Sequence, residues 1–413
     1  MTDYSTIIHT LPKMKSGQEL ITALEVLPDY DPTITIADTS TRLIALSDLY
    51  RIYVPSQMSL EIYSKLYLAL LRSLQKKGTK LAIQQQYQNF KAIKQLDYTG
   101  IIGGSDSFTI IGTSGIGKSS AISRAITLIT ENKILELENP YCKIIPCICV
   151  QCPFDSSVKG LLLEILRKVD ESIGSNYYQN AVRARSTTDM LIGSVSQVAL
   201  NHIGLLIVDE IQNVVNNRNG KSLVGMLTQL INNSGISICM VGTPESTVFF
   251  EQAMQLARRS LGLQYNLMEY GEQFKRFCEV LFSYQYVRNR TETTDAVIEW
   301  LYEHSAGNIS IVVSLIHDAQ EIAILNDTEV LNLESLNEAY TKRITLLHGF
   351  IDIKKKKQTS KLKKKNNPIK PVESLDEIPS TISISNCIAI AKKENRDIVS
   401  LLKEIIPVIE VVV

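Results

Sequence analysis

No stretch of this sequence approaches the roughly 18 consecutive apolar residues that a membrane-spanning helix requires. The opening MTDYSTIIHTLPKMKSG has no basic segment leading into an apolar run, so no export signal is expected and a cytoplasmic protein is. Cysteine is scarce as well: seven in 413 residues, an odd number that suits reduced thiols better than a disulfide framework. Cys142, Cys147, Cys149 and Cys152 do crowd together. Cys147 and Cys149 fall on one face of an apolar strand, however, and the spacing matches no common zinc knuckle, so core thiols are expected there. The five histidines form no i, i+4 pair.

Net charge is absent too, with 43 basic and 43 acidic residues. The balance is uneven: nine lysines lie between Lys354 and Lys370 with no acid among them, leaving the remainder mildly acidic. That run fits either a phosphate-neutralising segment or a solubilising spacer. A composition 45% hydrophobic fills a core, and the length calls for more than one structural unit.

What is present centres on Ser107 to Thr130. An apolar strand, Phe108 to Ile111, runs into Gly112-Thr113-Ser114-Gly115-Ile116-Gly117-Lys118-Ser119, followed by Ser120 and a helix with Ile122, Ala125, Ile126 and Ile129 on one face. This is G-x-x-x-x-G-K-S in the strand, loop and helix setting that the chemistry needs. Glycines let the backbone turn its N–H groups inward, and the helix start adds partial positive charge, so residues 112–120 are expected to cradle polyphosphate. Lys118 reaches the β- and γ-phosphates and Ser119 holds Mg²⁺ in this reading.

Downstream, Lys143 to Gln151 reads as a second buried strand, with helices over Val158 to Ile173 and Ser186 to Asn201. Leu205 to Val208 then delivers Asp209 and Glu210 to a strand tip: Asp209 as the second Mg²⁺ partner, Glu210 to polarise the attacking water. A further strand, Ile236 to Val241, ends at Thr243, a candidate sensor of the terminal phosphate. Arg258 and Arg259 are candidates for stabilising charge on the transferring phosphoryl group from a neighbouring subunit. Glu272 to Leu347 reads as four helices. Ile384 to Ile406 reads as one helix in a tail suited to docking a partner.

Phosphate loop, acidic strand tip, sensor strand, arginine pair and helical lid, in that order, resemble an AAA+ ATPase. Cys152-Pro153-Phe154-Asp155-Ser156-Ser157-Val158-Lys159, the Asp209-Glu210-Ile211-Gln212 tip, Tyr284-Gln285-Tyr286 and Ser305-Ala306-Gly307-Asn308 resemble the TnsC family, ATP-dependent regulators of heteromeric bacterial cut-and-paste transposons. The resemblance implies an α/β AAA+ fold with a parallel five-stranded sheet. The organisation expected is an N-terminal helical appendage (1–100), a nucleotide-binding domain (101–270), a helical lid (271–350), a Lys-rich linker (351–371) and a docking tail (372–413).

It further implies ATP and Mg²⁺ as cofactors, a bacterial cytoplasmic setting, and oligomerisation as a ring or filament on double-stranded DNA. Transposase subunits and a target-selection protein are the implied partners, with no membrane. Lys159, Arg183 and Arg185 are the candidate DNA contacts. The lid departs from the general AAA+ pattern, since Asn308, Ile309, Ser310 and Ile311 stand where a second sensor arginine is usual, which implies slow hydrolysis or a switch that depends mainly on nucleotide occupancy. A helicase loader and an oligomerising signalling NTPase of bacterial defence remain alternative readings of the same motifs.

Overall fold

The computed structural model describes residues 11–77, 107–138, 141–214, 220–247 and 262–344, with His9 and scattered positions between 82 and 87. The chain divides into two units, 1–354 and 355–413, and the described residues all belong to the first. The Lys354 to Lys370 run and the Ile384 to Ile406 helix lie outside the described residues.

Three helices precede the sheet: α1 (Gly17–Leu24), α2 (Thr39–Ala45) and α3 (Gln57–Lys77). The α/β core follows as β1 (Phe108–Gly112), α4 (Lys118–Thr130), β2 (Leu135–Glu138), β3 (Tyr141–Gln151), α5 (Val158–Ile173), α6 (Tyr177–Arg183), α7 (Thr188–His202), β4 (Ile203–Asp209), α8 (Gly220–Ser234), β5 (Ser237–Gly242) and β6 (Leu263–Tyr265). The lid comprises α9 (Glu272–Ser283), α10 (Asp295–Ser305), α11 (Ile309–Leu325) and α12 (Leu333–Ala339).

The sheet runs β2-β3-β4-β5-β1-β6. All neighbours pair in parallel except β2, which lies antiparallel against the start of β3. This is the α/β architecture expected, a mostly parallel sheet flanked by helices, with six strands in place of five and one edge strand antiparallel. The short Leu-Glu-Leu-Glu of β2 and the three residues of β6 are edge strands, too short to carry a buried apolar run. Central strands buried on both faces carry one, which is why β1, β4 and β5 read plainly in sequence.

One face of the sheet packs on α5, α7 and α8, through Leu161, Ile165, Val195 and Leu227 among others. The opposite face packs on α4 and on α3, whose Ile62, Leu66, Leu70 and Leu74 form a continuous stripe. The N-terminal helices expected as an appendage are thus built into the core. Leu70 approaches so closely that a Cβ at Gly204 would lie 2.5 Å from its Cδ1 and from the Pro146 carbonyl oxygen. Ser237 Oγ, on β5, donates to the Ala69 carbonyl at 3.2 Å.

The segment between α2 and α3 joins the other half. Leu46, Leu49 and Ile52 bury themselves among Phe274, Leu281, Leu315 and Ile316 of the lid. Beside them Arg42, fully buried, makes a fork of two 2.6 Å bonds to the Glu329 carboxylate and donates to the Tyr286 carbonyl at 3.1 Å. Glu329 also accepts the Arg288 N–H at 3.2 Å. The Tyr284-Gln285-Tyr286 motif has a structural part to play here: the Gln285 amide donates to the Phe282 and Thr291 carbonyls and accepts the Thr291 N–H. Gln320 of α11 bonds the backbone of Tyr284 and Tyr286 on either side.

Arg42→Met leaves the Glu329 carboxylate buried without its partner, and the expected cost is about 3 kcal/mol of unfolding free energy by urea titration. Adding Glu329→Gln should recover part of that loss. A second expectation concerns Lys77, whose buried amine donates to the Ala199 and Leu200 carbonyls at the end of α7 and is lowered by burial to about 7. Between about pH 7 and the ordinary lysine value of 10.5 the unfolded chain then binds more protons than the folded one. Stability should therefore rise with pH across that window, and the slope should diminish in Lys77→Met.

Candidate functional site

The C-terminal ends of β1, β4 and β5 converge on one cleft of about 380 Å³. The loop between β1 and α4 turns through Gly115 (φ 83°) and Gly117 (φ 90°), both in the left-handed region that favours glycine. Gly117 caps α4, so the first N–H groups of a thirteen-residue helix open toward the loop. Lys118 folds its amine under the loop, donating to the Gly112 carbonyl at 2.5 Å and the Thr113 carbonyl at 2.9 Å. Burial lowers that amine from its ordinary value, while Asp209, Glu210 and Glu245 oppose the shift.

The strand order sets β5, which leads to Thr243, between the glycine-loop strand β1 and the acid-bearing strand β4. Ser119 Oγ donates to Asp209 Oδ2 at 3.3 Å, across 90 residues of sequence. Asp209 Oδ1 accepts the Glu210 N–H at 2.8 Å, and the Asp209 carbonyl accepts the Cys152 N–H at 2.8 Å, tying the tip of β4 to the end of β3. Glu210 is exposed and itself sits at φ 58°. Thr243 follows β5, and its hydroxyl is the main influence holding the Glu245 carboxyl below the usual range.

The remaining walls come from two sources. Tyr50, Tyr53, Ser56 and Met58, ahead of and at the start of α3, line one side; Phe277, Ile309, Ser310 and Val313 of the lid line the other. The lid also grips the loop directly. Asn308 caps α11 through Oδ1, which accepts the Ser310 N–H at 3.1 Å, and its Nδ2 donates to the Ser114 carbonyl at 3.0 Å. The Ser310 N–H donates to the Gly115 carbonyl at 3.0 Å. The Ser305-Ala306-Gly307-Asn308 motif supplies this grip, because the chain reverses through Ala306 (φ 52°) and Gly307 (φ 81°). Gly307 passes so near Met268 that a Cβ would lie 1.9 Å from its carbonyl oxygen.

The donor set suits a nucleotide with a divalent cation: a glycine-turned loop on a helix start, one ammonium, and a hydroxyl beside a carboxylate. Ser119 and Asp209 are the residues that would hold Mg²⁺, and residues 112–120 the polyphosphate. Of the residues singled out in sequence, the structure brings together the phosphate loop, Lys118, Ser119, Asp209, Glu210 and Thr243. Arg258 and Arg259 lie outside the described residues. Lys159, in the first turn of α5, and Arg183 and Arg185, on either side of the end of α6, are exposed and make no ion pair among the described residues. Sequence reasoning missed the cleft walls at Tyr50 and Tyr53, which only tertiary packing reveals. It noted Asn308 for not being arginine, and a polar cap after glycine was the signal for its part in gripping the loop.

Elsewhere on the lid His317, Asp318 and Glu321 bring ligand atoms within 4.8 Å of one another. The Arg343 guanidinium already occupies that position, at 3.3 Å from Asp318 and 2.5 Å from Glu321. Burial pushes the Cys147 thiol up to about 12 and the Cys152 thiol up to about 11. No helix among the described residues is long and apolar enough to cross a membrane.

The family described as bacterial TniB protein matches residues 103–263, from ahead of the phosphate loop to β6. No curated protein matches the chain significantly in sequence. Among solved structures, the ORC1 protein of Aeropyrum pernix in complex with DNA is similar at 13% identity and a TM-score of 0.41, covering 63% of this chain and 64% of that one. The chain thus spans less than two thirds of that protein's length. Drosophila ORC bound to DNA is similar at 13% identity and a TM-score of 0.40, covering 82% and 72%. Domain III of the Thermotoga maritima replication initiation protein DnaA is similar at 14% identity and a TM-score of 0.36, covering 66% and 94%.

Gly115→Ala tests the loop. A Cβ there would meet Asn308 Oδ1 at 2.4 Å on a backbone already at φ 83°, so binding of a fluorescent ATP analogue should weaken by at least about tenfold, equivalent to about 1.4 kcal/mol. The strained backbone should lower the melting temperature by a few degrees as well, so binding is compared well below the transition.

Proposed function

We propose that the chain is an ATP-hydrolysing switch of the AAA+ class that regulates DNA transposition. It oligomerises on duplex target DNA in the ATP state, links a target-selection factor to the transposase, and disassembles when ATP is hydrolysed. The observation that carries this reading is the meeting of Lys118, Ser119, Asp209, Glu210 and Thr243 in one lid-covered cleft, within the segment that is similar to the TniB family.

In this reading the loop N–H groups and the start of α4 bind the phosphates, and Lys118 leaves the loop carbonyls to bridge the β- and γ-phosphate oxygens. Mg²⁺ bound by Ser119 and Asp209 supplies neutralising charge on the phosphates. Glu210 orients the attacking water and accepts its proton, and Thr243 touches the terminal phosphate from the tip of β5. Arg258 and Arg259 complete the site across a subunit interface. Lys159, Arg183 and Arg185 are the DNA contacts, joined by the Lys354 to Lys370 run. Each phosphate neutralised releases counterions and steepens the salt dependence of binding.

The grip of Asn308 and Ser310 on the loop supports a further element of the reading. With no arginine at the start of α11, the lid meets the loop through backbone carbonyls and neutral donors, so occupancy of the cleft is sensed by position more than by charge. Slow turnover follows, and with it a switch whose lifetime on DNA is set by hydrolysis.

Sedimentation with duplex DNA and negative-stain imaging, in ADP, ATP, a non-hydrolysable analogue or no nucleotide, test the assembly. Rings or filaments on duplex only with the triphosphates are expected. No association in any state at low salt, where phosphate contacts are strongest, discards the DNA-bound switch. Glu210→Gln should retain ATP binding, lose hydrolysis by at least about a hundredfold and leave oligomers trapped on DNA, whereas Lys118→Ala should lose binding and assembly together. Substituting Arg258 and Arg259 should impair hydrolysis and assembly and leave the nucleotide affinity of the monomer nearly intact.

A further inference from the structure

One side chain beside the cleft bonds to both Glu210 and the backbone of Thr243. Gln212 lies in the 3₁₀ turn Ile211–Val214 that follows β4. Its amide nitrogen donates to the Glu210 carboxylate, and its amide oxygen accepts the Thr243 N–H at 3.3 Å. Two features of the backbone bring it there. Glu210 takes the left-handed conformation at φ 58°, which turns the chain back on itself, and Ile211 is fully buried, which anchors the turn. Across the gap, β5 ends at Gly242, where a Cβ would lie 3.1 Å from Gln212 Oε1 and 2.6 Å from Ile211 Cγ2. The space that the amide occupies is therefore kept open by a missing side chain.

The chemistry of the amide decides what can stand at this position. A glutamine carries a donor and an acceptor on one planar group. Glutamate presents acceptors to both neighbours and repels the Glu210 carboxylate; methionine has the length and neither function; asparagine is one methylene short of the span.

We propose that Gln212 is a positioning residue that ties the orientation of the Glu210 carboxylate to the strand tip carrying Thr243. The inference rests on the proposed hydrolytic reading, in which Glu210 is the base and Thr243 touches the terminal phosphate. Displacement of Thr243 by that phosphate moves its N–H, the N–H moves the amide, and the amide re-aims the carboxylate. The base then responds to the presence of a γ-phosphate that Gln212 itself never contacts.

The test uses the full chain with Mg²⁺ and ATP, comparing kcat, KM, affinity for a non-hydrolysable ATP analogue and melting temperature. Gln212→Glu, which alters a single terminal group, and Gln212→Met should each lower kcat by at least about tenfold with analogue affinity held within about twofold. Glu210→Gln with Gln212→Met should be no slower than Glu210→Gln alone, because the positioning residue has nothing left to position. If Gln212→Glu and Gln212→Met keep kcat while Glu210→Gln abolishes it, the positioning role is overturned and the base stands. If the Gln212 variants lose kcat and analogue affinity in parallel, the residue supports the loop generally and the proposal falls. Normal turnover in Glu210→Gln removes the hydrolytic reading beneath it.

Discussion

The phosphate loop is held through its own carbonyl groups, and much of the molecule is arranged around that constraint. Lys118 satisfies Gly112 and Thr113 from beneath, while Asn308 and the first turn of α11 satisfy Ser114 and Gly115 from the lid side. A loop carbonyl kept from water is costly unless it is bonded, and two of the groups that bond these carbonyls, Lys118 and Ser310, also line the cleft. A ligand that draws Lys118 away alters the bonding of the same loop on which the lid rests. Loop and lid therefore cannot respond independently.

Around that loop the sheet provides placement and the helices provide rigidity. Setting β5 between β1 and β4 holds the backbones of those two strands about two strand widths apart, roughly 10 Å, and the Ser119 and Asp209 side chains close that gap to 3.3 Å. The central strands are buried on both faces, so their tips have little freedom to shift, and the turns that follow β4 and β5 are pinned in turn by fully buried Ile211 and Ser246.

Much of this was legible in the sequence, and what was legible follows a physical rule. Elements whose function or burial demands a local pattern read correctly: the glycine-turned loop before Lys118 and the apolar run before Asp209 and Glu210. Elements defined by what they pack against did not. The stripe on α3 announces a helix but not that its partner is the open face of the sheet. β2 and β6 are too short for periodicity to register. Gln212 reads as an ordinary turn residue until the tip of β5 is seen beside it. Tyr284-Gln285-Tyr286 and Ser305-Ala306-Gly307-Asn308 read as family signatures, and the structure gives each a job: one threads the loop between α9 and α10, the other delivers Asn308 to the phosphate loop.

The fork between Arg42 and Glu329 closes a loop of 287 residues. On a ribosome that adds about 5 to 20 residues per second, Arg42 emerges roughly 15 to 60 s before the carboxylate that neutralises it. For most of that interval Leu46, Leu49 and Ile52 also wait for the lid helices they pack against. Residues 42–52 are thus among the last of the N-terminal part to reach their final surroundings, whereas Leu20 and Leu24 meet α3, α4 and the sheet earlier in the chain.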